Sequence, residues 1–367
     1  MSAHPGSPVT TKGRVWMPFA SEYSLAYAMC ITTQLPEVEA MDTRMLGSQE
    51  FTVSSVGLGC MGMSQGYGPT DDALSLSTLR KSLALGVTFW DTAQSYGAGH
   101  NERLLGRALA GCRDEVQLAT KFGIVRDDAG VHLDGRPAGV KAYCEASLRR
   151  LGTDYIDLYY LHRIDPGVPV EETIGAMVDL ISEGKIRHIG LSECDAAQLE
   201  RAVAVHPIAA LQLEWSLWWR EPEDDVIPAA RRLGVGVVPY SPLGRGFLAG
   251  SPLPTSFGPG DFRSGDARFV GPAMDRNQDA FGKFQVLSER LGVSPAQLAL
   301  AWLMHQGADV VPIPGTRHAD RVAENAAAGD IQLTAGDLEA IESTVGRAEW
   351  AGDRRSFAAF HTQRTPL

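Results

Sequence analysis

Cysteine is scarce in this chain, and basic residues are outnumbered by acidic ones. Its 367 residues include five cysteines, Cys30, Cys60, Cys112, Cys144 and Cys194, odd in number, widely spaced and without a C-x-x-C pair. That argues against a disulfide framework or a zinc set, and fits a reducing cytoplasm, the location expected here. Lys plus Arg total 33 against 44 Asp plus Glu, a net charge of −11. Such an acidic balance argues against nucleic acid or an anionic membrane surface as the main partner. Any anion must then be held by a local basic site. No run approaches the roughly 18 apolar residues of a membrane helix. Only Lys12 and Arg14 precede a short mixed stretch near the start, so no secretory leader is expected. Internal repeats and metal-ligand spacings are missing as well.

What is present is alternation. Residues 1–42 lack periodicity and read as a disordered extension. Two short extended pieces around Gly47-Ser48, near Arg44–Leu46 and Thr52–Val56, read as a hairpin. Apolar strand-like runs then follow at Val56–Gly59, Val87–Asp91, Val116–Lys121, Tyr155–His162, Ile186–Ser192, Ile208–Leu213, Val235–Tyr240 and Asp309–Ile313. Helical stretches separate most of them, at Asn101–Ala110, Val140–Leu151, Glu171–Glu183, Ala196–Val205 (with Asp195 as N-cap) and Asp224–Leu233. Eight strands apolar on both faces, in one α/β domain, predict a closed (β/α)8 TIM barrel rather than an open doubly wound sheet. The barrel is expected over 43–346, with 347–367 a tail. The Gly-, Pro- and Ser-rich stretch from Ser241 to about Arg276 reads as a functional loop after the seventh strand.

Four residues stand at the ends of these strands or just beyond. They are Asp91 and Tyr96 in Phe89-Trp90-Asp91-Thr92-Ala93-Gln94-Ser95-Tyr96-Gly97, Lys121 in Ala119-Thr120-Lys121-Phe122, and His162 in Leu158-Tyr159-Tyr160-Leu161-His162. Barrel enzymes place catalysis at that end. Reducing a carbonyl with hydride requires a proton for its oxygen, and a free phenol with a pKa of about 10 gives its proton up poorly. An ammonium at Lys121, paired with Asp91, would lower the Tyr96 value. Tyr96 would then be the general acid, and His162 a second donor to the carbonyl oxygen. Taken singly, a Lys–Asp pair or a Tyr after a strand is more often structural. Together the four resemble the catalytic tetrad of the aldo-keto reductases.

That resemblance covers about Met41 to Gly346 and implies further assignments. Gly57-Leu58-Gly59-Cys60-Met61-Gly62 matches G-x-G-x-x-G, but the residues after it read as loop, not the helix a Rossmann site needs. In the family this place lies beside the nicotinamide, so Cys60 and Met61 would border cofactor and substrate. Ser192 and Gln212 match the contacts to the carboxamide. Tyr240 would stack on the nicotinamide ring. Ser241, Leu243, Gly244, Arg245 and Gly246 match the loop that wraps the pyrophosphate. Gly315, Thr316, Arg317 and Arg321 follow the eighth strand and open a helix, a natural phosphate site. Their two arginines in an acidic protein favour a 2′-phosphate, hence NADPH over NADH, with no metal required. Glu324 and Asn325 match residues at the adenine.

Two positions depart from the family pattern. Glu193 replaces the Asn common after the strand-five serine, and a carboxylate cannot donate to the carboxamide as an amide does. Trp215 stands where Tyr is expected and reads as packing. Overall the motifs look most like the bacterial, fungal and plant broad-specificity aldehyde reductases, including pyridoxal reductase-like and perakine reductase-like members. The expected activity is NADPH-dependent reduction of a small aldehyde or ketone, its carbonyl held by Met61, Tyr96 and His162. A second reading is a redox-responsive NADP(H)-binding regulator of the potassium-channel β-subunit type, with little turnover. The oligomeric state, monomer or homo-oligomer, is left open.

Overall fold

In a computed structural model, the structure describes residues 41–354, except Gln49, Asp128, Ala129, 251–256 and Pro259. The expected disordered extension lies, but for Met41 and Asp42, outside the described residues. A hairpin opens the chain, β1 (Thr43–Leu46) and β2 (Phe51–Ser54), paired antiparallel. The main repeat runs β3 (Leu58–Gly59), α1 (Asp72–Ala84), β4 (Phe89–Asp91), α2 (His100–Leu109) and β5 (Gln117–Phe122). A second hairpin, β6 (Ile124–Asp127) and β7 (Gly130–Leu133), follows. Next come α3 (Pro137–Leu151), β8 (Ile156–Leu161), α4 (Val170–Ser182), β9 (Ile186–Ser192), α5 (Ala196–Val205), β10 (Ala210–Glu214), α6 (Val226–Arg232) and β11 (Gly236–Tyr240). Among the described residues four further α-helices follow, α7 (Gly271–Arg290), α8 (Pro295–Met304), α9 (Ala319–Ala326) and α10 (Ala335–Val345), with short 3-10 turns between and after them.

Seven parallel strands lie in the order β3-β4-β5-β8-β9-β10-β11. The eighth position is filled by 309–315 without becoming a regular strand. Val311 and Ile313 donate to Val237 O (2.9 Å) and Pro239 O (3.0 Å) on one side. On the other, Gly57 and Gly59 donate to Pro312 O (2.9 Å) and Pro314 O (3.3 Å). Pro312 and Pro314 lack the N–H a ladder needs, so closure is carried by carbonyls alone on that side. The (β/α)8 barrel read from the alternation is the observed fold.

Two apolar layers hold it. Outward strand side chains such as Trp90, Leu118, Tyr159, Ile189 and Leu211 pack beneath the helices. Inward ones, Phe89, Ala119, Leu158, Tyr160, Ala210 and Val238, meet Leu46, Phe51 and Val53 from the opening hairpin. The hairpin thus closes the end where the strands begin, and Arg44 fastens it by donating to Met304 O, Gly307 O and Val310 O. The opposite end is left for chemistry. Helix starts obey local rules: Asp195 and Ser294 each build a capping box, with Gln198 and Gln297 answering, at α5 and α8. The first two glycines of the G-x-G-x-x-G match serve packing. A Cβ on Gly57 would stand 2.8 Å from the Phe89 ring, and one on Gly59 2.8 Å from Ile313 O.

Candidate active site

Register brings the four predicted residues together. Asp91 ends β4 opposite Ala119 of β5, and Lys121 lies two residues further along β5, facing the same interior. Lys121 Nζ donates to Asp91 Oδ1 (2.5 Å), Thr92 O (2.8 Å) and Tyr96 Oη (3.2 Å). Those are all three of its hydrogens. Gln212 Nε2 donates to the other Asp91 oxygen at 2.8 Å. His162 follows β8, its backbone N–H on Phe122 O, and its ring meets Tyr96 edge-on with centroids 5.9 Å apart.

Tyr96 owes its position to a tight turn. Gly97, Ala98 and Gly99 all have positive φ (55°, 50° and 81°), and Gly97 N donates to Gln65 Oε1 at 2.9 Å. Asn101 ties the same segment down by donating to Cys60 O (2.9 Å) and Ser64 Oγ (2.8 Å). The loops after β3 and β4 are therefore one fixed unit.

Burial sets the protonation states. Lys121 and Asp91 side chains are 0% and 3% exposed. Burial alone would lower the Lys121 ammonium, but Asp91 and Tyr96 outweigh it and hold its pKa above the usual lysine range. The carboxyl of Asp91 is pushed up by burial, against Lys121 and Gln212. For Tyr96 the structure corrects the sequence reading. Lys121 does pull the phenol down, but burial, aided by Asp91, wins, and the pKa lies above 10. Tyr96 is thus a phenol that keeps its proton. His162 is driven well below 6.5 by burial, with Arg163 and Lys121 adding to it. Its Nδ1 is buried without a hydrogen-bond partner.

The other predicted residues are placed unevenly. Ser192 and Gln212 are buried, the first at the end of β9 and the second in the middle of β10. Arg163, missed in the sequence, donates to both His162 O (2.6 Å) and Ser192 Oγ (3.1 Å). Cys60 is fully buried, its thiol pushed up chiefly by burial, and Met61 is half-buried. Tyr240 ends β11 half-buried, and Ser241, Gly244, Arg245 and Gly246 all take positive φ (48°, 55°, 59° and 91°). The Arg245 guanidinium turns into the protein, 3.3 Å from both Glu214 and Asp266. Gly315 leads into Thr316, whose hydroxyl accepts from His318 N, just before α9. Arg317 donates to Pro69 O and Tyr67 O, tying α9's approach to the loop after β3. On α9, Arg321 is exposed, Glu324 half-buried and Asn325 buried. The Glu193 carboxylate accepts from the Glu214 backbone N–H (3.0 Å) and from the Tyr240 hydroxyl (2.8 Å). Trp215 is buried, as expected for packing, with its indole N–H on Glu223.

A buried tetrad at the strand ends of a (β/α)8 barrel coincides with a family match. The aldo/keto reductase family profile covers residues 55–345. The chain belongs to the aldo/keto reductase family. It is 43% identical over 312 residues to probable aldo-keto reductase 1 of Glycine max, covering 84% of this chain and 90% of that one. The glycerol dehydrogenase of Gluconobacter oxydans superposes with a TM-score of 0.76 at 31% identity, covering 83% of this chain and 96% of its own. An aldo/keto reductase from Klebsiella pneumoniae, solved with NADP and acetate, gives 0.66 at 29% identity, covering 86% and 99%. The family is one of oxidoreductases acting on small carbonyl compounds. Among the described residues, no helix is long and apolar enough to cross a membrane.

Proposed function

We propose that this member reduces an aldehyde or ketone to the alcohol with NADPH, Tyr96 delivering the proton. One observation carries the reading. All three Lys121 hydrogens are engaged, the third on Tyr96 Oη, so the phenolic hydrogen has to point elsewhere. Tyr96 is therefore a donor whose oxygen is already held by a cation, which favours the charge left after transfer. Asp91 fixes Lys121, and Gln212 fixes Asp91. The neutral ring of His162 has one N–H to offer the substrate's carbonyl oxygen.

The residues present fit a nicotinamide dinucleotide. Ser192 Oγ accepts from Arg163, leaving its own hydrogen to donate. A Cβ on Gly246 would meet nothing within 4 Å, so the left-handed turn after Tyr240 borders open space. Ser192, Gln212 and Tyr240 would hold the nicotinamide end, and the backbone of Ser241, Leu243, Gly244, Arg245 and Gly246 the pyrophosphate; Gly315, Thr316, Arg317 and Arg321 would hold the adenosine phosphate, with Glu324 and Asn325 at the adenine. When bound, NADPH supplies the hydride. Support for it comes from the Klebsiella relative, which was solved with NADP.

The test is NADPH consumption with a panel of aldehydes, with cofactor binding followed by fluorescence. Tyr96→Phe should lose about a hundredfold or more of kcat while still binding NADPH. Arg321→Ala should weaken NADPH more than NADH, by about tenfold if a phosphate contact is lost. Absence of wild-type turnover across the panel, from folded protein, would sink the reading.

A further inference from the structure

Behind Tyr240 lies a buried cluster of charge that the tetrad does not use. Three carboxylates, Glu193, Glu214 and Asp266, face three guanidinium groups, Arg245, Arg268 and Arg354, and every one of the six is buried. Arg268 pairs with Glu214 and Asp266, both at 2.7 Å, and Arg245 with the same two at 3.3 Å. Arg354 comes from the tail. It stands 3.0 Å from Glu193 and 3.4 Å from Glu214, donates to the Tyr240 hydroxyl at 3.0 Å, and lies over the Trp219 ring at 5.7 Å.

The route of the tail is specific. Trp350 donates to Val345 O and its ring packs near Trp218 and Phe247. Ala351 exchanges hydrogen bonds with the Asn277 side chain on α7, at 2.8 and 3.0 Å. Gly352 takes φ +89°, and a Cβ there would stand 2.8 Å from the Arg268 backbone. Those contacts deliver Arg354 to a place where one charge decides the balance. Without it, three carboxylates face two guanidinium groups in a desolvated site, beside the loop proposed to take the pyrophosphate. In the intact structure the charge of Glu193, which the family pattern would have as Asn, is met by Arg354. Burial would raise the Glu193 carboxyl, but Arg354, Arg163 and the Glu214 amide hold it down at about 2.

We propose that Arg354 is a positioning residue of the active site. It completes the charge of the cluster and, with Glu193, pins the Tyr240 hydroxyl, presetting the ring and keeping net negative charge away from an anionic cofactor. The cofactor half of this inference rests on the NADPH reading above; the Tyr240 half does not.

Two measurements on the full-length chain separate them. The first is NADPH titration by tryptophan fluorescence, alongside steady-state kinetics, for wild type, Arg354→Met, Arg354→Lys and Glu193→Gln/Arg354→Met. Arg354→Met should raise the NADPH Kd about tenfold, with kcat at saturating cofactor changed less than about threefold, because buried charge is left unmatched. Arg354→Lys should recover part of the loss, and the double variant most of it. A general loss of structure would not produce that split or that rescue. The second is urea unfolding without cofactor for Arg354→Met, Tyr240→Phe and their combination. Non-additive midpoints support the pinning of Tyr240. Additive midpoints, or an Arg354→Met protein binding NADPH as wild type does, would overturn the proposal. Non-additive midpoints in a wild-type protein that fails to bind NADPH would uphold the pinning and overturn the NADPH reading instead.

Discussion

Lys121 carries two burdens at once, and they can be pulled apart. Its ammonium is the counter-charge of a buried carboxylate and the donor that occupies Tyr96 Oη. Removing one partner of such a pair leaves the other charge buried and unmatched, at about 3–5 kcal/mol. Lys121→Met should therefore lower the urea midpoint and abolish turnover. Adding Asp91→Asn should restore most of the stability but none of the turnover. If the double variant recovers activity, Lys121 is structural only. The identity of these residues was legible in the sequence because each closes or follows an apolar run. The net direction of the Tyr96 pKa was not, because it depends on how deep the ring lies.

At the scale of elements, the closing segment 309–315 and strand β3 meet through glycine. The Gly59 site has no room for a side chain because the obstacle, Ile313 O, is backbone and cannot rotate away. Gly59→Ala should cost about 1–3 kcal/mol by overpacking, read as a lower urea midpoint. Arg321→Ala, on an exposed face of α9, should leave that midpoint unchanged. A neutral Gly59→Ala would mean that the barrel closes differently from the geometry described. Most strands and the helices from 100 to 232 were legible from periodicity, and boundaries moved by a few residues. Helices α1, α7, α8 and α10 and the β6–β7 hairpin escaped it. α1 and α8 illustrate why: the first is weakly amphipathic and the second buried nearly all round, so neither displays a clear apolar stripe.

The whole molecule is joined across its carboxyl end by the charge cluster, and acid should loosen it. Glu193 falls from 4.5 in the unfolded range to about 2 when folded, and Glu214 is likewise depressed; burial opposes both shifts, and facing arginines prevail. A depressed carboxylate contributes stability that is complete above its unfolded value and vanishes as pH falls toward its folded one. Stability should therefore decline as pH drops from about 4.5 toward about 2, measured by thermal or urea unfolding across that range. Glu193→Gln should flatten part of the decline. An unchanged slope would show that the cluster does not couple the tail to the barrel.

The sequence by itself determined the barrel and put the four residues proposed for catalysis together at one end of it, because strand ends in a closed parallel barrel all face one site and local apolar runs announce those ends. The same local logic reads the G-x-G-x-x-G as packing rather than phosphate-binding, since no α-helix opens directly after it. Only the tertiary structure decided where Glu193, Arg245 and Arg354 point. Those three are separated by long stretches of chain, and a charged side chain gives no local sign of which distant opposite charge will be buried against it.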